Sequence, residues 1–312
     1  MLNANKVRHH FVPVFYLKGF ADSGNDDLLW VYSKCAEKVF CEKPQNVGYV
    51  KNYHTFENPD GTIDTNTIED YFCNVWEGPA ASIIKAVNAG VLPIDNDRQF
   101  FASFLGLSLT RSPNHRENME QAIAHLAKSI TQFSAADPEH FAQALRSYER
   151  DMGEKLTEDT EELRHFILEG EYELTARPEL YLKMFIAHGI EFGRIIEKMK
   201  WVFVRSTARF KFLTSDTPFF FCDPSDQSFF RGGLLGKNVE VSFPISKELA
   251  LVATWSDTVP EGYFTGNHEL VKSINRRSVL AAHRFVYASE KSAALLRLVR
   301  KFANTRPSLT VG

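Results

Sequence analysis

The feature that most constrains this chain is a hydrophobic period that changes twice along its length. From Thr67 to Lys200 apolar residues recur at helical spacing. On either side, short runs rich in Val, Phe, Tyr and Trp are cut by turn residues. In the first flank "LLWVYS" (Leu28 to Ser33), "KVFCE" (Lys38 to Glu42) and "NYHTFE" (Asn52 to Glu57) read as strands, the last closed by an "NPDG" turn. "TIEDYFCNVWEGPAASIIKAVNAG" then reads as a helix with Thr67 as N-cap and Gly90 as terminator, and Gly78–Pro79 predicts a kink or a split inside it. Further helical segments follow, the last opening near Pro178. After Trp201 "WVFVRS", "FKFLTS", "PFFFC", "VEVSFPIS", "LALVATW" and "RFVYAS" return to strand patterns, with helices over "NHELVKSINRRSVLAAH" and "KSAALLRLVRKFA". Strands before and after a helical run must pair with each other to bury their faces. The expected fold is therefore α+β: a mostly antiparallel sheet from the N- and C-terminal segments with a helical block between. The chain reads as one α+β domain, 1–312, with a helical insertion at about 67–200.

Composition excludes several classes. With 312 residues, 44% hydrophobic and 24% charged, the chain has the profile of a water-soluble globular protein, and its 26 Phe predict an aromatic core. No run reaches the length of about 20 apolar residues that spans a bilayer, so no membrane partner is expected. "MLNANKVRHH" lacks a signal-peptide core, which makes the cytoplasm the expected location. Cys35, Cys41, Cys73 and Cys222 form no C-x-x-C pair, which argues against a zinc ribbon. A net charge of -3 does not advertise nucleic-acid binding. Arg276, Arg277, Arg284, Arg297, Arg300 and Lys301 near the C-terminus read either as a local phosphate track or as a solvated helix face. "RGGLLGKN" (Arg231 to Asn238) lacks phosphate-loop spacing and reads as a hairpin or mobile loop.

Candidate chemistry falls in a few places. "HHFVPVFYLKGF" puts His9 and His10 before an aromatic run that anchors the N-terminus. Imidazole titrates near neutral pH, so either residue suits a general base or a metal ligand; the alternative is one packed and one wet histidine. If they lie in a strand, only one can face a site. "FLTSDTPFFF" places Ser215 and Asp216 at a strand end, as a site carboxylate or as an Asx/ST turn before Pro218. "LTRSPNHRE" offers Arg111 and Arg116, whose planar forks clamp phosphate or merely suit a helix end. Tyr53 and His54 are either substrate-binding or core, and Glu69 and Glu77 either paired ligands or an exposed helix face.

Taken in order, "HHFVPVFYLKGFAD", "LWVYSK", "NVGYVKNYHTFE", "IEDYFCNVWEG", "LTRSP", "FLTSDTPF" and "FPISKELAL" resemble the family called domain of unknown function 4238. The resemblance runs from His9 to about residue 290, with the opening motif and T-S-D-x-P as its most specific parts. Thr217 stands where the family often carries Asn. The resemblance implies a bacterial protein, with some relatives linked to defence against phage, and motif residues that serve one site. Two functions are expected on this basis. The first is a phosphodiester-cleaving, nuclease-like hydrolase with catalytic His9, His10, Ser215, Asp216 and Arg111, and with Arg116, Tyr53 and His54 binding substrate. A divalent metal is compatible with it as cofactor. The second is a non-catalytic sensor that recognises a phage protein or a nucleic acid through the helical block, with oligomerisation through Phe-rich elements as a further role.

Overall fold

The computed structural model describes residues 7–36, 38–58, 60–175, 178–225 and 233–305. The N-terminal segment forms β1 (Arg8–His10) and α1 (Val14–Lys18), then β2 (Leu29–Ser33), β3 (Val39–Glu42), β4 (Tyr49–Lys51) and the short hairpin β5 (Phe56–Glu57) and β6 (Ile63–Asp64). The helices of the middle are α2 (Thr67–Tyr71), α3 (Gly78–Asn88), α4 (Asp95–Thr110), α5 (Pro113–Ala136), α6 (Pro138–Met152), α7 (Thr160–Glu169) and α8 (Pro178–Glu197). The C-terminal part supplies β7 (Lys200–Arg205), β8 (Thr214–Ser215), β9 (Phe220–Cys222), β10 (Glu240–Ser246), β11 (Leu249–Thr254), β12 (Gly262–Thr265), α9 (His268–Ala281), β13 (Phe285–Ala288) and α10 (Ala293–Lys301).

The fold is the mixed α+β arrangement read from the sequence. A five-stranded sheet runs β12-β7-β11-β10-β9, antiparallel except where β12 lies parallel to β7. A second sheet, β3-β2-β13-β8, joins the two ends of the chain, with Trp30 opposite Ala288 and Thr214 opposite Tyr287. β1 pairs with β4, with His10 opposite Tyr49. "NYHTFE" departs from a strand: Asn52 takes φ 55° in a turn, which Asn tolerates, and pairing begins only at Phe56. Arg231 and Gly232 of "RGGLLGKN" lie outside the described residues. No helix among the described residues is long and apolar enough to cross a membrane.

The described residues divide into two compact units, one of 7–116 with 182–305 and one within 117–181. In the first, Phe20, Phe101, Trp201, Phe203, Phe212 and Phe219 are fully buried, each contributing about 1.5–3 kcal/mol of apolar burial. The helices α4 and α8 cross there with backbones almost touching: a Cβ at Gly106 would collide with the Gly189 carbonyl, and one at Gly193 would lie 2.5 Å from Ser103 Cα. The second unit is helical. Asp137 caps α6 and Asp159 caps α7, and Lys128 of α5 donates to the Gly170 and Tyr172 carbonyls.

Two local features position the site described next. Asn66, not Thr67, precedes α2, and Asp64 Oδ1 accepts the Asn66 and Thr67 amides. Between α2 and α3 the helix widens into a π turn over Phe72–Glu77. Pro79 has no N–H to donate and its ring crowds the turn before it, so the wider turn relieves a conflict written into Gly78–Pro79.

Candidate functional site

β1 resolves the pair of adjacent histidines. Strand geometry points them to opposite sides: His9 is buried completely, while His10 is half-buried at the rim. The His54 main-chain N–H donates to His9 Nδ1 at 2.8 Å, so a neutral His9 carries its proton on Nε2. The His9 and His54 rings stack 5.7 Å apart, and His54 also lies against Tyr53, Phe72 and Phe185.

His54 Nδ1–H donates to Glu69 Oε1 at 2.6 Å. Burial holds the His54 pKa down to about 4, against the pull of the Glu69 hydrogen bond. Burial pushes the Glu69 carboxyl up, but the His54 hydrogen bond and the Arg111 charge outweigh it and leave the pKa lowered. The two directions agree on a neutral imidazole facing a carboxylate. His54 Nε2 is buried and has no hydrogen-bond partner.

Arg111, at the end of α4, fills the space between the two glutamates. Its Nη1 lies 3.4 Å from Glu77 Oε1 and its Nη2 3.9 Å from Glu69 Oε1, and Nη2 also donates to the His10 carbonyl. Its guanidinium carbon sits 4.0 Å over the Phe72 ring, and its Nε–H is buried without a partner. His10 Nε2 donates to the Gln45 carbonyl at 3.3 Å, which leaves Nδ1 as the acceptor nitrogen of the neutral ring. Burial lowers the His10 pKa, with Glu69 and Glu77 opposing. Arg116 donates to the Tyr53 carbonyl and stacks on its ring, supporting the turn that carries His54.

Asp216 and Ser215 are held by main chain. Asp216 Oδ1 accepts the His283 amide at 2.8 Å, and Oδ2 accepts those of Arg284 and Phe285 at 2.7 and 2.9 Å. Ser215 Oγ donates to the Thr217 carbonyl and accepts the Thr217 amide. These five hydrogen bonds run to main chain and not to His9, His10, His54, Glu69 or Arg111. The carboxylate is spent on tying the β8 end to β13. The turn expected before Pro218 describes Ser215, whereas Asp216 bonds amides far along the chain.

His9, His54 and Glu69 offer donor atoms within 4.8 Å of one another, the spacing of a metal-ligand set. Their hydrogen bonds fit a cation poorly. A proton occupies the 2.6 Å between His54 and Glu69, and His9 already spends one nitrogen on an amide, leaving the other protonated. The arrangement is that of a carboxylate-oriented imidazole pair.

Sequence reasoning singled out His9, His10, His54, Glu69, Glu77 and Arg111 as separate possibilities, and the structure brings them together. It passed over Trp76 and Phe185, which reach this place only through the π turn and the tight α4–α8 crossing. Of the C-terminal cations, Arg277 pairs with Glu240 at 2.7 Å, and Arg276 and Arg284 lie over Phe302 and Phe285.

Fold and site together define an α+β protein with a buried His–His–Glu–Arg cluster open at one rim through His10 and Glu77. The sequence profile of a family described as "Protein of unknown function (DUF4238)" matches residues 8–292, and the chain belongs to that family. No curated protein and no solved structure matches it.

Proposed function

We propose that the chain is a phosphodiester-cleaving hydrolase acting in the cytoplasm as an effector of antiphage defence. The resemblance stated from the sequence supports the defence setting; the site supports the chemistry. One observation carries it: Arg111, a buried cation, donates to the main-chain carbonyl of His10, whose half-buried imidazole burial holds toward its neutral form. His10 Nδ1 takes a proton from water as the water oxygen bonds to phosphorus. The leaving oxygen departs with the electrons of the broken P–O bond and regains a proton from His10. Arg111 stabilises the charge gathering on the phosphoryl oxygens once the phosphate displaces Glu77. Glu69, itself held by His54, lies 3.9 Å from the guanidinium.

The experiment is hydrolysis of single-stranded RNA, single-stranded DNA and bis(p-nitrophenyl) phosphate by the full chain. Wild-type turnover with a loss of about 10²–10⁴-fold in His10→Ala, and a loss in Arg111→Lys, is the expected result. An inactive wild type, or a fully active His10→Ala, refutes it.

A second reading, a binding module, is favoured by α5. Leu126, Ile130 and Phe133 are 60%, 60% and 78% exposed at i, i+4 and i+7, one apolar stripe on a helix face. On that reading Phe133→Glu changes the elution volume of the protein at high concentration, whereas His10→Ala is silent in every assay of function.

A further inference from the structure

The helix α10 carries charge of one sign. Its Leu295 and Val299 are buried, while Arg297, Arg300 and Lys301 are exposed at i, i+3 and i+4, on one face, and the helix holds no carboxylate. Phe302, half-buried just past the helix end, brings in a cation from α9. The Arg276 guanidinium carbon lies 5.3 Å from its ring centre and Lys301 Nζ lies 5.6 Å from it. Arg276 is exposed as well. Two helices thus bring like charges to one aromatic ring, in a chain whose net charge is -3. Among the described residues no carboxylate lies within ion-pair distance of Arg276, Arg297 or Lys301, whereas the neighbouring Arg277 pairs with Glu240. The dipole of α10 accounts for cations in its last turn, Arg300 and Lys301, but Arg276 and Arg297 stand mid-helix. Like charges gathered in this way repel one another, and an opposite charge on a partner relieves the repulsion.

We infer that this face of α9 and α10 is a docking surface for the sugar–phosphate backbone of a nucleic acid, an inference that does not depend on the cleavage reading above. Charge complementarity selects a polyanion, and two further observations select this one. A helix that lies on a membrane surface needs its apolar face for lipid. In α10 that face is spent on the core, where Leu295 and Val299 pack with Tyr32 and Val286. A protein partner is held chiefly by large apolar anchors at the centre of an interface. None of the exposed large apolar side chains among the described residues belongs to α10 or follows Leu270. What the face presents instead is three arginines and a lysine. A guanidinium fork meets phosphate oxygens in pairs, and contacts of this kind fix a backbone without reading base sequence.

The test is fluorescence anisotropy of labelled oligouridine and oligothymidine, each about 20 nucleotides long, titrated with the full chain as KCl rises from about 50 to about 200 mM. Four phosphate contacts on a single strand give a log–log salt slope of about -3, so the salt rise is expected to weaken binding about 50-fold. The triple variant Arg297→Gln, Arg300→Gln, Lys301→Gln places a good helix former at three exposed positions. It is expected to flatten the slope to about -1 and to weaken binding at low salt by about tenfold or more. The double variant Arg276→Gln, Lys301→Gln leaves Arg300 in place and covers the case of a triple variant that does not fold; its expected slope is about -1.5. Arg146→Gln, the same change of charge at an exposed position of α6, is expected to alter nothing. No binding of either oligonucleotide by wild type at low salt, a slope untouched in both variants, or an equal loss in Arg146→Gln overturns the inference. So does binding to phosphatidylserine vesicles or to polyglutamate in preference to the oligonucleotides. The two readings separate cleanly. Binding through this face without phosphodiester cleavage removes the hydrolase and keeps the surface. Cleavage of RNA with the variants binding as wild type does the reverse.

Discussion

Replacing Asp216 distinguishes a structural carboxylate from a catalytic one. In Asp216→Ala three main-chain amides, those of His283, Arg284 and Phe285, lose their acceptor at once in a site where Asp216 is 2% exposed. A hydrogen bond to a charged group contributes about 1.5–3 kcal/mol, and a buried donor left alone costs about 1–3 kcal/mol. Against this, the substitution no longer buries a carboxylate; complete burial pushes the Asp216 pKa up even though the amides pull it down. The net expected loss is about 3–5 kcal/mol, at the upper end of what single substitutions do. At about 2–4 °C per kcal/mol, that is a fall of about 10 °C in Tm by calorimetry. Asp216→Asn keeps the shape but turns an NH₂ toward at least one amide, so it recovers only part of the loss. The residual activity of either variant, measured well below its Tm, should stay within a few-fold of wild type. An unchanged Tm, or an Asp216→Asn protein of wild-type stability with no activity, would show that the carboxylate belongs to the chemistry and that the amide cage was misread.

Other expectations are open to simple measurements. Lys34 is buried and donates to the carbonyls of Val279 and Ala282, at the end of α9, and of Thr305; Lys34→Met should cost about 2–4 kcal/mol in urea unfolding by leaving those carbonyls bare. Gly106→Ala should unfold the first unit or lower its stability by about 3 kcal/mol or more, since backbone rather than a side chain would have to move; near-native stability would mean that the α4–α8 contact is loose. His54 and His115 have pKa values lowered to about 4, chiefly by burial. The unfolded chain therefore binds more protons than the folded one below the ordinary histidine range. Stability is full above pH 6.5 and falls toward pH 4, by about 1.4 kcal/mol per pH unit for each histidine. Denaturant titrations at pH 7, 6 and 5 that show no such slope, or a slope unaltered in His115→Phe, would contradict the burial of these rings.

Much of the architecture was legible because local rules and tertiary outcome agree. "LLWVYS", "KVFCE" and "RFVYAS" carry strand-forming residues, and they are strands. The Gly78–Pro79 pair announced a break, and the helix changes there to a π turn. Where a backbone conformation is decided by one residue, prediction failed locally: Asn52 turns the chain inside what reads as a strand, because Asn accepts a left-handed φ that the apolar pattern does not reveal.

The sequence by itself determined the order of strands and helices, the α+β class and the short roster of chemically able side chains. These follow from periodicity, turn residues and side-chain chemistry within a few neighbours. Only the tertiary structure decided which of them meet. It stacked His9 on His54 across 45 residues of chain, set Arg111 between Glu69 and Glu77, and gave Asp216 to the amides of a turn 67 residues away. A carboxylate at the end of a Phe-rich strand looks the same in one dimension whether it faces a cleft or a ring of N–H donors. Its role is settled by what desolvates it and what it then bonds to, and both lie far away along the chain.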